Sequence, residues 1–167
     1  MELSIRPADL EATNQIAGWL PSQTEVTLFA GTALTWPLTG ADLLSTTADG
    51  WTVLTFWHAT DLVSTAAYRS AGPGRIRIGR ILVDPRRRGR GLGRATVTAL
   101  LARVCAQPGI YEITLGVFEH NTPARRLYAS LGFCDTGARG TATVDGTTWT
   151  SHQLSLARHR PDPVTDR

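Results

Sequence analysis

The spacing of apolar residues in the first fifty positions predicts a strand, a helix and a long irregular segment. Residues 3–6 alternate apolar and polar side chains up to Pro7, which is typical of a short strand. The next apolar residues recur at helical spacing, at Leu10, Ile16, Ala17 and Leu20. No period is evident from 21 to 39, so we expect a loop-rich insertion there, followed by one short helix at 41–44.

Three strands are predicted next. Residues 51–58 and 62–69 are rich in β-branched and aromatic side chains and are separated by three residues, which favours a β-hairpin. After a turn at 70–74, residues 75–83 alternate arginine with isoleucine and end in three consecutive apolar residues. This pattern predicts a third strand, and Gly79 inside it indicates a β-bulge.

A glycine-rich segment at 88–93 connects the third strand to a predicted helix. The apolar face of this helix recurs at i, i+3, i+4 and i+7, at Val97, Leu100, Leu101 and Val104. Pro108 and Gly109 end the helix, and residues 111–118 form another predicted strand. Because a helix crosses between strands 75–83 and 111–118, we expect these two strands to be parallel.

The last third of the chain predicts one more helix and a hairpin. Thr122 is the predicted N-cap, with Pro123 in the first turn, and Gly132 is the predicted left-handed C-cap. Residues 133–139 and 147–156 are predicted strands joined by Asp145-Gly146, a sequence typical of hairpin turns. The pattern therefore predicts one domain over residues 1–157 and a flexible tail over 158–167.

Composition agrees with one soluble domain. The chain has 167 residues, of which 42% are hydrophobic and 19% charged, values typical of globular proteins. No apolar run approaches a membrane span and the N-terminus lacks a signal pattern, so we expect a cytoplasmic protein with no membrane partner. The two cysteines, Cys105 and Cys134, lie in no metal-binding motif, so we expect neither a disulfide framework nor a bound metal.

The distribution of charge is more informative than its total of +3. The chain contains no lysine, and ten of its 17 basic residues, all arginines, lie between positions 69 and 103. Asp84 is the only acidic residue in that window, which therefore carries a net charge of +9. A composition bias can explain the missing lysine but not the clustering. Since the guanidinium group pairs well with phosphate and carboxylate, we expect an anion to bind there.

The glycine-rich segment has the parts of a phosphate-binding loop. Gly89, Gly91 and Gly93 follow an apolar strand and precede a helix, and arginines at 86, 87, 88, 90 and 94 surround them. Glycines let the backbone approach a ligand closely, and free amides at a helix N-terminus favour an anion.

Three other kinds of loop are disfavoured. A Walker loop requires a lysine, which the chain lacks. A dinucleotide fingerprint requires GxGxxG and an acidic residue roughly 20 positions on. Here the glycines are two apart, and the first acidic residue after Asp84 is Glu112. A nucleic-acid-binding segment would interleave aromatic side chains with its arginines, so we expect no nucleic-acid partner.

Two motifs together resemble the GNAT superfamily of N-acetyltransferases. The first is Arg88-x-x-Gly91-x-Gly93, which is similar to that family's acyl-CoA-binding motif, Gln/Arg-x-x-Gly-x-Gly/Ala. The second is Asn121-x-x-Ala124-x-x-Leu127-Tyr128-x-x-x-Gly132-Phe133, which resembles the family's downstream strand-helix motif at matching order and distance. The resemblance implies an α/β (α+β) domain whose mixed, mostly antiparallel sheet is splayed at two parallel strands and flanked by helices.

The resemblance also implies acetyl-CoA as co-substrate. The backbone of Arg88, Gly89, Arg90, Gly91, Leu92, Gly93 and Arg94 would hold the pyrophosphate, and Ile81, Leu82 and Val83 would pair with the pantetheine arm. Asn121 would contact that arm or brace the adjoining helix. Tyr128 matches the family's general acid, which protonates the departing thiolate, although its helical spacing also suits a core residue.

The base that would deprotonate the amine is less defined. The family often places a carboxylate on one of the two parallel strands, where this chain has Arg77, Arg80 and Gly116. Glu119 or His120, just past the second strand, is the predicted base, with Glu25, His58 or a water chain as alternatives.

The acceptor implied is an amine on a small molecule or a protein, and the enzyme would be a monomer or a homodimer. Trp19, Phe29 and Trp36 are candidates for an apolar acceptor wall, and Glu25 or Asp42 for drawing a cationic amine. A CoA-binding module without catalysis, with a regulatory or interaction role, is the alternative function.

Overall fold

A seven-stranded sheet organises the computed structural model, which describes residues 2–158. The strands are β1 (Ser4–Pro7), β2 (Thr52–His58), β3 (Asp61–Ser70), β4 (Arg75–Val83), β5 (Glu112–Phe118), β6 (Cys134–Val144) and β7 (Thr147–Ala157). The helices are α1 (Leu10–Ala17), α2 (Gln23–Ala30), α3 (Gly40–Ser45), α4 (Leu92–Cys105) and α5 (Thr122–Ser130). The predicted flexible tail lies outside the described residues except for Arg158, whose amide donates to the carbonyl of Tyr111 (2.7 Å).

The sheet has the order β1-β2-β3-β4-β5-β7-β6, and β4 with β5 is its parallel pair. These two strands pair only from Arg75 opposite Glu112 to Arg77 opposite Thr114, although each continues well beyond that point. On its other edge β5 pairs with β7 along its whole length. The predicted mixed sheet, splayed at the parallel strands, is therefore confirmed.

A β-bulge in β4 changes which face its side chains occupy. Ala67 of β3 pairs with Gly79, but Thr65 pairs with Leu82, so Arg80 and Ile81 together lie opposite one residue. Arg80 takes the positive φ of +53° that this geometry requires. The bulge is one position later than predicted, because Gly79 stays paired. The missing Cβ of Gly79 instead gives room to the Trp51 ring, whose Cη2 atom would lie 3.3 Å from an added Cβ.

Helices flank the sheet through two apolar clusters. The larger cluster joins α4 and α5 to the central strands and includes Val97, Leu100 and Ile113. The second joins α1, α2 and α3 to β3 and β4 and includes Ile16, Val26 and Leu82. Without the bulge, the alternation of a strand would place Leu82 on the same face as Ile76 and Ile78. Ile76 and Ile78 lie in the first cluster, whereas Leu82 is buried in the second.

Several elements differ from the sequence prediction. Residues 23–30 form helix α2 rather than a loop. Ser22 Oγ caps it by accepting from the Glu25 amide (3.2 Å), and Val26 and Phe29 are buried. Its two turns are too short for a clear period. The N-cap of α5 is Asn121 rather than Thr122, since Asn121 Oδ1 accepts from the Ala124 amide (3.4 Å).

The predicted hairpin turn at Asp145-Gly146 is present, with φ angles of +48° and +77°. Gly132 has the predicted left-handed conformation, with φ of +93°. Within residues 2–158 there is no helix with the length and apolar content needed to cross a membrane.

Candidate active site

A buried carboxylate anchors the start of the glycine-rich loop. Asp84 follows β4 directly, and its Oδ1 atom accepts from the backbone amide (3.0 Å) and the Nε (3.1 Å) of Arg86. Its Oδ2 atom accepts from Arg86 Nη2 (2.9 Å), and Arg87 Nε lies 3.6 Å away. The bonds from Arg86 are the main cause that lowers the pKa of Asp84 below its ordinary value. Asp84 therefore stays ionised and ties a short 3-10 turn, Pro85–Arg87, to the strand.

Replacing Asp84 with asparagine should destabilise this anchor. We expect Asp84→Asn to lower the free energy of unfolding by about 2 kcal/mol at neutral pH, because charge-assisted bonds to a buried carboxylate are lost. A lowered pKa means that the carboxylate stabilises the fold above its unfolded pKa of 3.8, and that this stabilisation is lost as the pH falls through the folded value. Urea unfolding of both proteins at pH 7 and pH 3 measures this. A difference that stays constant between the two pH values contradicts the assignment.

The glycines of the loop expose the N-terminus of α4. Gly89 and Gly91 both have φ of +77°, a left-handed conformation that favours glycine, and no atom lies within 4 Å of a Cβ added to either. Gly91 is the N-cap of α4 and supplies no side-chain hydrogen bond. No side chain caps the first amides of this 14-residue helix, and uncapped amides at the positive end of a helix favour phosphate binding.

The side chains around the loop hold it in place. Leu92 is buried, and the α carbon of Gly93 approaches α5 so closely that an added Cβ would lie 3.6 Å from Leu127. Arg94 Nη2 donates to Ser130 Oγ (2.7 Å), and Arg88 Nη2 lies 4.0 Å from Glu25 Oε2. Arg90 is exposed. The backbone is thus fixed between α4 and α5 while the arginine side chains stay accessible.

A cavity of about 560 Å³ occupies the gap where β4 and β5 separate. Of the predicted cofactor residues, Ile81, Asn121 and Tyr128 line it. Leu82 is buried in the second apolar cluster and Val83 pairs with Ser64, and neither lines the cavity. The loop at 88–94 also lies outside it. The structure therefore presents a cavity between β4 and β5 and a separate glycine-rich loop that follows β4.

Tyr128 is the buried hydroxyl-bearing residue of this cavity. It lies on α5, and its ring meets the ring of Phe133 edge to face with centroids 5.8 Å apart. Burial raises the pKa of Tyr128 to about 12. The phenol therefore stays protonated at physiological pH and is a proton donor rather than a base.

The two predicted bases lie outside the cavity lining. Phe118 lines the cavity, but the next two residues, Glu119 and His120, are exposed. Glu119 Oε1 is 3.6 Å from His152 Nε2, and the His120 ring packs against Trp149 with centroids 4.5 Å apart. Neither interaction directs these side chains to the cavity, so their role as base stays a prediction.

The irregular segment contributes only part of the predicted acceptor wall. Phe29 lines the cavity, whereas Trp19 is buried in the second apolar cluster and Trp36 is 46% exposed. Asp42 caps α3 by accepting from the Thr39 amide (2.8 Å), so it lies in a capping box rather than at the cavity.

Sequence reasoning did not assign three arginines that line the cavity. Arg69, Arg77 and Arg80 come from neighbouring strands, together with the indole of Trp51, which the guanidiniums of Arg69 and Arg80 approach. The arginine cluster at 69–103 was the available signal. Which of its members share one cavity depends on strand register, which composition does not reveal. Among the described residues, no cluster of three or more His, Cys, Asp or Glu is placed to hold a metal ion.

Comparison with known proteins gives consistent matches. The model of the acetyltransferase (GNAT) family matches residues 17–133. The mycothiol acetyltransferase of Nocardioides sp. is 37% identical over 92 residues, which are 53% of this chain and 30% of that protein. The spermine/spermidine N(1)-acetyltransferase of Bacillus subtilis is 37% identical over 60 residues, which are 36% of this chain and 40% of that protein. These matches thus span less than half the length of either relative.

A solved structure extends the likeness to nearly the whole chain. The spermidine N-acetyltransferase from Vibrio cholerae, in complex with CoA and spermine, superposes with a TM-score of 0.77. The alignment covers 93% of this chain and 95% of that chain at 13% identity, so it shows the shared fold alone.

Proposed function

This chain belongs to the acetyltransferase (GNAT) family, and we propose that it transfers an acetyl group from acetyl-CoA directly to a primary amine. The observation that carries the proposal is the position of the open N-terminus of α4 at the end of the strand that lines the central cavity. The loop before α4 can bind a pyrophosphate, and the gap between β4 and β5 can bind an extended arm. Because β4 leads from the gap to the loop, one ligand with both parts can occupy both places.

The cofactor would lie along β4. The amides from Arg88 to Arg94 bind its pyrophosphate, and the arm enters between β4 and β5, where the strands no longer pair beyond Arg77 and Thr114. Unpaired backbone groups at the splayed edge of β4 are available to the amides of the arm. Ile81 and Asn121, which line the cavity, contact the arm near the thioester.

Transfer needs one proton donor and one proton acceptor. The amine nitrogen attacks the thioester carbonyl, the carbon–sulfur bond breaks, and the sulfur takes the proton of the Tyr128 hydroxyl. The Tyr128 phenolate then regains a proton from water. The phenol is a suitable donor because burial keeps it protonated. The proton of the amine leaves through water towards Glu119 or His120, which follow the cavity-lining Phe118 in the chain.

The test is to incubate the protein with acetyl-CoA and a panel of amines, following free thiol with a thiol-reactive dye and acetyl-CoA binding by calorimetry. We expect binding, and thiol release that depends on an amine. Binding with no turnover on any amine would favour the non-catalytic CoA-binding module. A protein that does not bind acetyl-CoA would contradict both functions.

A further inference from the structure

Three guanidinium groups converge on the cavity beside the reaction centre. Arg69 and Arg77 lie directly opposite each other on β3 and β4, and Arg80 follows on β4. Trp51 ties two of them together, because its ring lies 4.9 Å from Arg69 Cζ and 4.5 Å from Arg80 Cζ. Three like charges repel one another in a cavity, so the arrangement needs a compensating anion.

Arg80 shows most clearly that a partner is missing. Its side chain is 6% exposed, and its Nη1 atom is the buried side-chain polar atom without a hydrogen-bond partner among the described residues. Burying a polar atom without a hydrogen-bond partner is unfavourable. A ligand that supplies the partner removes this penalty, which favours binding. Burial and then the charge of Arg69 lower the pKa of Arg80 to about 10, so it still carries its charge at neutral pH.

Arg77 reaches the cavity because position 116 is glycine. Its guanidinium crosses β5, where Nη1 donates to Gln153 Oε1 on β7 (3.0 Å). A Cβ added at Gly116 would lie 2.9 Å from Arg77 Nη2, so any other residue would displace the guanidinium. Gly116 therefore places a positive charge over the gap between the parallel strands.

One carboxylate among the described residues that line the cavity balances part of this charge. Asp49 is exposed, and its negative charge acts on Arg80 in the direction that raises the pKa of the guanidinium. Three arginines against one carboxylate leave the lining positively charged. The phosphates of CoA would lie at the loop of residues 88–94, which does not line the cavity. The parts of acetyl-CoA that enter the gap are the uncharged arm and the thioester.

We propose that the acceptor is an amine that carries its own oxyanion, as an amino acid does, and that Arg80, with Arg77 and Arg69, binds this oxyanion. The inference rests on the proposed acetyl transfer and names the class of its acceptor. A carboxylate, phosphonate or phosphate offers the planar or forked oxygens that guanidinium groups bind with two hydrogen bonds. A polyamine would instead bring additional positive charge to three arginines.

The first experiment uses matched pairs of amines. Thiol release is measured with an α-amino acid and its decarboxylated amine, with an aminoalkylphosphonate and its alkylamine, and with spermidine. We expect kcat/KM for the member of a pair that bears an oxyanion to exceed that of its partner without one by about 10- to 100-fold, the usual effect of hydrogen bonds to a charged group. The two kinds of pair distinguish carboxylate from phosphonate. Equal rates within both pairs, or a preference for spermidine, would overturn the proposal.

The second experiment uses Arg80→Met, which keeps an unbranched side chain but removes the guanidinium. We expect KM for the amine that bears an oxyanion to rise about 10- to 100-fold, while acetyl-CoA affinity and turnover of the partner without an oxyanion stay within about twofold. Arg103→Met, an exposed arginine on α4, is the control and should change none of these. If Arg80→Met also weakens acetyl-CoA binding, Arg80 serves the cofactor and the proposal fails.

A binding measurement separates failure of this inference from failure of acetyl transfer. Calorimetric titration of the CoA complex with the same amino acids and phosphonates requires no turnover. Binding that is lost in Arg80→Met would support the oxyanion site even if no amine is acetylated. The protein could instead acetylate amines while neither preferring nor binding those that carry an oxyanion. That result would support acetyl transfer and refute the oxyanion site.

Discussion

Acetyl-CoA affinity should fall about 10- to 100-fold when Gly91 is replaced with alanine, because bonds between the charged pyrophosphate and the loop amides are then lost. The Cβ would point into the open space before α4, where no protein atom lies within 4 Å. Because an alanine is strained at the left-handed φ of +77°, the substitution should also lower the free energy of unfolding by about 1–2 kcal/mol. Calorimetry with acetyl-CoA and urea unfolding measure the two effects.

The hairpin turn supplies a matched control. Gly146 also has φ of +77° with nothing within 4 Å of an added Cβ, but it lies between β6 and β7, away from the cavity and the loop. Gly146→Ala should therefore lower stability by a similar amount and leave acetyl-CoA affinity unchanged. If both variants lose affinity equally, the effect of Gly91→Ala comes from destabilisation and the loop does not bind the cofactor.

A second large effect is expected for Tyr128→Phe, which should lower kcat by about 100-fold, within the usual range for loss of a general acid. Affinity for acetyl-CoA and the melting temperature should change little, because the ring and its contact with Phe133 are retained. Steady-state kinetics and calorimetry on the same preparation measure this. Full activity in the variant would show that Tyr128 is only a core residue.

The raised pKa gives a further check on Tyr128. Since burial raises the pKa of this phenol to about 12, its deprotonation should cause no loss of wild-type kcat below pH 10. The inferred protonated state of the Tyr128 phenol would be contradicted by a loss of activity near pH 8 or 9 that disappears in Tyr128→Phe.

The parts of the fold and of the site that depend on neighbouring residues could be predicted from the sequence. The glycines at 89 and 91, the helix that follows them and the turn at Asp145-Gly146 follow from local backbone preferences, and the structure has all three. The parallel arrangement of β4 and β5 could also be predicted from the sequence, because a helix that crosses between two paired strands usually joins parallel strands. Helix α2 was missed because it is short and packing, rather than period, stabilises it.

The arginine cavity could not be predicted, because its members meet only in the folded sheet. Arg77 and Gln153 are 76 residues apart in the chain, and the space for their bond exists only because β5 places Gly116 between them. Likewise, the bulge at Arg80 depends on how β3 pairs with β4. The sequence by itself determined that this chain has a glycine-rich loop before a helix, since that feature is local. Only the tertiary structure decided which arginines face the cavity, because strand register and one extra residue in a bulge set the face on which each side chain lies.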